Sequence, residues 1–151
     1  MLDETATARI ERMASVARKG ERMPRVAVAE DDPDMRTMVG DALRQDGYRV
    51  IELANGADLL VRIAHQYRYH EPDDALDLIV SDVRMPVING LEILRGLRNA
   101  HCQTPVVLMT AFGDSATRDE AQKLDAVILD KPLELAVLRA EVRRLLAARA
   151  A

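Results

Sequence analysis

Residues 78–94 read LIVSDVRMPVINGLEIL. A continuous apolar run, Leu78–Val80, leads within two residues to a carboxylate, Asp82, and Leu91, Leu94 and Leu97 then recur at helical spacing. An apolar run without polar alternation is what a strand covered on both faces requires. The stretch is therefore one strand–helix unit with a charged residue at the carboxyl end of its strand.

The same unit recurs on either side. Strand-length apolar runs also fall at Val26–Ala29, Val50–Leu53, Val106–Met109 and Ala126–Leu129, interrupted only by Glu52 in the second. Met35, Met38, Val39, Ala42 and Leu43 line one face of a helix that Pro33 can open and Gly47 stops. Leu59, Leu60, Ile63 and Ala64 mark a second helix, Leu91, Leu94 and Leu97 the third, and Asp114–Leu124 a weakly amphipathic fourth. Leu135, Leu138, Val142, Leu145 and Leu146 stripe a fifth. The order βαβαβαβαβα predicts an α/β fold, a five-stranded parallel sheet doubly wound by helices on both faces.

Two segments stand outside this plan. Residues 1–24 form an N-terminal arm in which Ile10, Met13 and Val16 can line a short helix; it reads as a plain tail or as a partner-docking arm. His65–Leu76 is a polar stretch read as a long solvated connection. Residues 25–151 make up the folded domain.

Composition narrows the function. The chain has 151 residues, 48% hydrophobic and 30% charged, with no Trp, one Phe (Phe112) and three Tyr, so its core is aliphatic. Base-stacking platforms for single-stranded nucleic acid are nearly excluded. A net charge of −4 gives no general pull toward nucleic acid or acidic membranes, and no apolar run approaches membrane-spanning length. A single cysteine, Cys102, forms no internal bridge and fits a reducing compartment, so the expected location is the cytoplasm.

In an open parallel sheet, ligands bind beyond the carboxyl ends of the strands. The residues found there are Glu30, Asp31 and Asp32 after the first run, Asp82 after the third, Thr110 after the fourth and Lys131 after the fifth. Clustered carboxylates repel one another and call for a cation, and an all-oxygen donor set suits Mg²⁺ rather than zinc. Beside such an ion a carboxylate can attack phosphorus, with the Lys131 ammonium and Thr110 hydroxyl stabilising the transferring group. The alternative is that these residues are scattered helix caps and surface ion pairs.

The strings VAVAEDDPDMR, LIVSDVRMPVINGLEIL, VVLMTAF and ILDKPLEL, in that order from Arg25 to about Ala148, resemble the receiver domain of bacterial response regulators, the CheY-like family. The segment Asp82, Met85, Pro86, Asn89, Gly90 and the pair Lys131–Pro132 carry the resemblance most specifically. The resemblance implies a flavodoxin-like strand order, 2-1-3-4-5. It implies that Asp82 accepts a phosphoryl group from a sensor histidine kinase or phosphotransfer protein. It implies that Asp31 and Glu30 hold Mg²⁺ together with Asp82 and the backbone carbonyl of Arg84. Thr110 would be the switch hydroxyl and Lys131 the partner of the acceptor, across a Lys131–Pro132 bond often cis in this family. Arg84 and Phe112 would tune dephosphorylation. Output would pass to a protein effector, with no other cofactor, no nucleic acid and no membrane, and no DNA-binding domain would be expected after the last helix. Such a module is not an enzyme beyond self-phosphotransfer and autodephosphorylation.

Departures exist. Ile128 stands where the family places the aromatic ring of its switch, Leu124 where a glycine often opens the fifth strand, and the interval from Asp31 to Asp82 is long, the excess falling in His65–Leu76. Two rival readings follow. A degenerate receiver would serve as an unphosphorylated binding scaffold, with Ile128 in its favour. An aspartate-nucleophile phosphatase of the haloacid-dehalogenase type fits poorly, because Arg84 replaces the second Asp of its motif and the acidic pair comes first. His65, His70 and His101 read as ordinary polar residues, Cys102 as an unpaired thiol, and Arg139, Arg143, Arg144 and Arg149 as the solvated face of the last helix or a site for an acidic partner.

Overall fold

A computed structural model describes residues 23–69, 74–111 and 114–150. Five strands alternate with five helices: β1 (Arg25–Ala29), α1 (Pro33–Gln45), β2 (Arg49–Leu53), α2 (Gly56–Tyr69), β3 (Leu78–Asp82), α3 (Gly90–Asn99), β4 (Val106–Thr110), α4 (Ser115–Lys123), β5 (Val127–Asp130) and α5 (Leu135–Ala150). The strands pair in parallel in the order β2-β1-β3-β4-β5, the flavodoxin-like arrangement. The arm up to residue 22, His70 and Phe112 lie outside the described residues.

Side chains alternate along each strand, and here both faces are buried. Val26, Val28, Leu78, Val80, Val107 and Met109 pack against Val39 and Leu43 of α1 and Leu138 and Val142 of α5. Ala27, Ala29, Ile79 and Leu108 face the other way, onto Leu59 and Ile63 of α2, Ile93, Leu94 and Leu97 of α3 and Ala121 of α4. Each fully buried aliphatic side chain contributes roughly 1.5–3 kcal/mol through removal from water, so these two layers dominate the stability. Helix starts are set by local hydrogen bonds. Asp32 caps α1 by accepting from the Asp34 and Met35 amides, and Asn89 and Glu92 form a capping box on α3.

The structure departs from the sequence reading in four places. Strands β3, β4 and β5 each run on into a polar residue, because ladder hydrogen bonds continue past the last apolar side chain. Met38, Leu60 and Ala64 are exposed; each sits one residue, hence about 100°, around its helix from a buried neighbour. Five of the twelve residues of the expected solvated connection, His65–Tyr69, are the last part of α2. The Gln66 side chain then accepts from the Leu76 amide (2.8 Å), and Arg62 donates to the Asp74 carbonyl, tying the return segment to α2. Finally, Arg139, a partly exposed side chain on the expected solvated face, also grips Asp46 at the end of α1 through two hydrogen bonds of 2.8 and 2.5 Å, joining α5 to α1.

Candidate functional site

Parallel strands deliver their carboxyl ends to one edge of the sheet. Glu30 directly follows β1, Asp82 ends β3, Thr110 ends β4, and Lys131 directly follows β5. The register places Asp82 opposite Met109, one residue before Thr110. The Lys131 amide donates to the Thr110 carbonyl (2.8 Å), fixing the base of the lysine against β4. The Lys131–Pro132 bond is cis.

The side chains converge. Lys131 Nζ lies 3.0 Å from Asp82 Oδ2 and 3.2 Å from Glu30 Oε2. Glu30, Asp82 and Thr110 are buried. Glu30, Asp31 and Asp82 each offer a carboxylate oxygen, all within 4.8 Å of one another, with Asp31 on the exposed side. Burial first, and then the charge of Asp82, push the Glu30 carboxyl up to about 7, against the pull of Lys131 and the Asp32 amide. Burial works against the Lys131 ammonium, but its bonds to Asp82 and Glu30 prevail and raise it above the ordinary lysine value. This pocket holds more negative charge than one ammonium satisfies. Its hard oxygen donors and surplus charge fit a small divalent cation.

Two backbone features hold Asp82 in place. Its other oxygen, Oδ1, accepts from the Arg84 amide (3.2 Å), and the first residue of α3, Gly90, packs against the Asp82 carbonyl so closely that a Cβ there would collide with it. Between them Val87 takes φ 73°, a left-handed conformation rare for a β-branched residue, with its side chain 97% exposed. Ile128 lies on β5, half-buried against the layer formed with α2, α3 and α4.

Asp32, grouped with the acidic residues on spacing alone, is a helix cap; its amide in turn donates to Glu30 Oε1 (3.2 Å). Arg36 escaped the sequence reading altogether: its guanidinium donates to the backbone carbonyl of Glu30 (2.8 Å). The available signal was its position on the first turns of the helix that follows the acidic loop. His65 and His101 take no part in the acidic cluster. Cys102 contacts Thr104 Oγ1 (3.2 Å) in the connection that enters the amino end of β4, at the other end of that strand from Thr110.

A flavodoxin-like sheet with carboxylates, a hydroxyl and an ammonium gathered at its carboxyl edge defines a doubly wound α/β domain built around an acidic pocket. The chain belongs to the response regulator receiver domain family of bacterial two-component signalling, which it matches over residues 26–143. It is 32% identical over 125 residues to the transcriptional regulatory protein CpxR of Escherichia coli (strain K12), covering 82% of this chain and 50% of that protein. To the response regulator receiver protein CpdR of Brucella abortus (strain 2308) it is 31% identical over 127 residues, 83% of this chain and 99% of that protein. The chain thus spans about half the length of the first relative and nearly all of the second. The solved receiver domain of the Francisella response regulator 1452 is similar in structure, with a TM-score of 0.74 at 25% identity, covering 83% of this chain and 98% of that one. Among the described residues no helix is long and apolar enough to cross a membrane.

Proposed function

We propose that residues 25–151 act as a phosphoacceptor module in a two-component or phosphorelay pathway, with Asp82 taking a phosphoryl group from the phosphohistidine of a sensor kinase or phosphotransfer protein. The observation that carries this reading is the Asp82 carboxylate, buried yet held 3.0 Å from Lys131 within an acidic cluster of three. Glu30, Asp31, Asp82 and the Arg84 backbone carbonyl are the groups that would hold Mg²⁺. When bound, the ion supplies charge neutralisation for the phosphoryl oxygens.

The chain's own residues do the rest. Asp82 supplies a carboxylate oxygen that bonds to phosphorus as the P–N bond of the donor breaks and the imidazole leaves. Lys131 pairs with Asp82 and orients it beforehand, and afterwards its ammonium pairs with the phosphoryl oxygens. Thr110 donates its hydroxyl to one of those oxygens, which draws the end of β4 inward. Glu30, 1% exposed, shields the site from bulk water on the β1 side. The signal then passes through Ile128 and its neighbours to a protein effector.

The test is incubation with Mg²⁺ and acetyl phosphate, read by intact mass, and with beryllofluoride, read by the amide spectrum. One phosphoryl group should be gained and many amides should move, both abolished in Asp82→Asn. A change that survives Asp82→Asn, or none at all with Mg²⁺ present, overturns the reading in favour of a scaffold that is never phosphorylated.

A further inference from the structure

Glu52 is the one charged residue within the five apolar runs, and nothing in the phosphoacceptor chemistry uses it. It lies on the edge strand β2, in register with Val28 of β1, with its side chain 27% exposed. Two arginines of α1 converge on it. Arg44 makes a close ion pair (2.6 Å to Oε2), and Arg36 Nε lies 3.8 Å from Oε1. Arg36 does more than pair with Glu52, because its Nη1 donates to the Glu30 carbonyl oxygen at 2.8 Å.

That contact completes the restraint of Glu30. Its amide donates to the Leu53 carbonyl on β2 (3.1 Å), its carbonyl accepts from Arg36, Oε1 accepts from the Asp32 amide, and Oε2 faces Lys131. The Glu30 carbonyl belongs to the peptide unit that leads into Asp31, so its orientation sets the direction in which both carboxylates leave the strand. At 20% exposure, Arg36 is largely packed, with Nη1 hydrogen-bonded to the Glu30 carbonyl just past β1 and Nε ion-paired at 3.8 Å with Glu52 on β2. A lysine has no second arm to span them.

We propose that Arg36, anchored by Glu52, is a positioning residue of the acidic cluster: by holding the Glu30 carbonyl it sets the affinity of Glu30, Asp31 and Asp82 for a divalent cation. This rests on the reading of that cluster as the Mg²⁺ site. Positioning and charge act in opposite directions here. A nearby guanidinium repels a divalent cation, so by Coulomb's law alone its removal strengthens binding. Loss of orientation weakens binding, and groups that orient metal ligands are typically worth about 10–100-fold in affinity. The sign of the effect therefore separates the two.

The experiment is calorimetric titration of the full chain with MgCl₂. Arg36→Met should weaken binding about ten-fold. Arg36→Lys and Glu52→Gln should fall between that variant and the parent. Arg44→Met removes a stronger partner of Glu52 on the same helix but touches nothing at Glu30, and it should leave affinity within about two-fold while losing as much thermal stability as Arg36→Met. In metal-free protein the Asp32 amide resonance should move in Arg36→Met and stay in place in Arg44→Met. Unchanged or tighter Mg²⁺ binding in Arg36→Met, or equal weakening in Arg44→Met, overturns the proposal. A parent that binds no Mg²⁺ overturns the cation site itself, a different result from a parent that binds and an Arg36→Met variant that binds equally well.

Discussion

Glu30 shows how a single side chain can be unfavourable to the fold and useful to the site. It is 1% exposed, and burial followed by the neighbouring Asp82 charge raises its carboxyl to about 7. A carboxyl raised in the fold favours the protonated native state, so its stabilising contribution is complete below the ordinary glutamate range and is lost as pH rises through about 7. Chelator-treated protein should melt a few degrees lower at about pH 8 than at about pH 6, followed by circular dichroism, and Glu30→Gln should flatten that difference. A parent with the same slope as Glu30→Gln would contradict it. Glu30, Asp82, Thr110 and Lys131 were legible in the sequence because parallel strands must bring their carboxyl ends together. Asp32 was not, since a carboxylate one position further on serves equally well as a helix cap. Nor was Arg36, because its partner is a backbone carbonyl, which no residue type announces.

At the level of elements, α1 and α5 share one face of the sheet and are also joined by charge. The Asp46 side chain is only 13% exposed, and its hydrogen bonds from Arg139 hold the carboxyl below the ordinary aspartate value. A depressed carboxyl contributes stability above its unfolded range and loses it as pH falls through the folded value. Asp46→Asn should therefore lower the melting temperature near neutrality, and the deficit should close in strongly acidic buffer. A deficit that persists unchanged in acid would show that the position matters for shape and not for charge. The brace was invisible in the sequence because its partners lie 93 positions apart. The end of α2 is hard to read for a related reason. Of His65–Tyr69 only Tyr67 extends the Ile63 face, and the bonds of Arg62 and Gln66 reach across to the segment that returns toward β3.

Across the whole molecule, the parallel sheet and both core layers followed from the alternation of apolar runs with helical stripes, and the strand order from the family resemblance, but those stripes say little about how firmly each helix is held. The helices differ in this respect, α4 from the other four. On one face of the sheet, α1 buries Val39, Ala42 and Leu43, and α5 buries Leu138 and Val142. On the other, α4 buries Ala121 alone and is tied to its neighbours by ion pairs, Glu120 to Arg95 and Arg118 to Asp130. Exposed ion pairs are worth about 0–1 kcal/mol each, so α4 can shift at a cost that one new hydrogen bond at the site can match. Thr110 is where such a bond would form. It ends β4, is buried, and pairs in register with Asp130, the residue that holds Arg118 of α4. A pull on Thr110 therefore acts on β5 and α4 before it reaches α1 or α5. Thr110→Val keeps the volume and removes the hydroxyl. It should retain Mg²⁺-dependent beryllofluoride binding while the amide changes stay near Asp82–Gly90, whereas in the parent they extend to Ile128 and Arg118. If the variant's changes reach Ile128 and Arg118 undiminished, the path does not run through the Thr110 hydroxyl, and the β3–α3 connection, with Val87 already held at positive φ, is the element that must carry it.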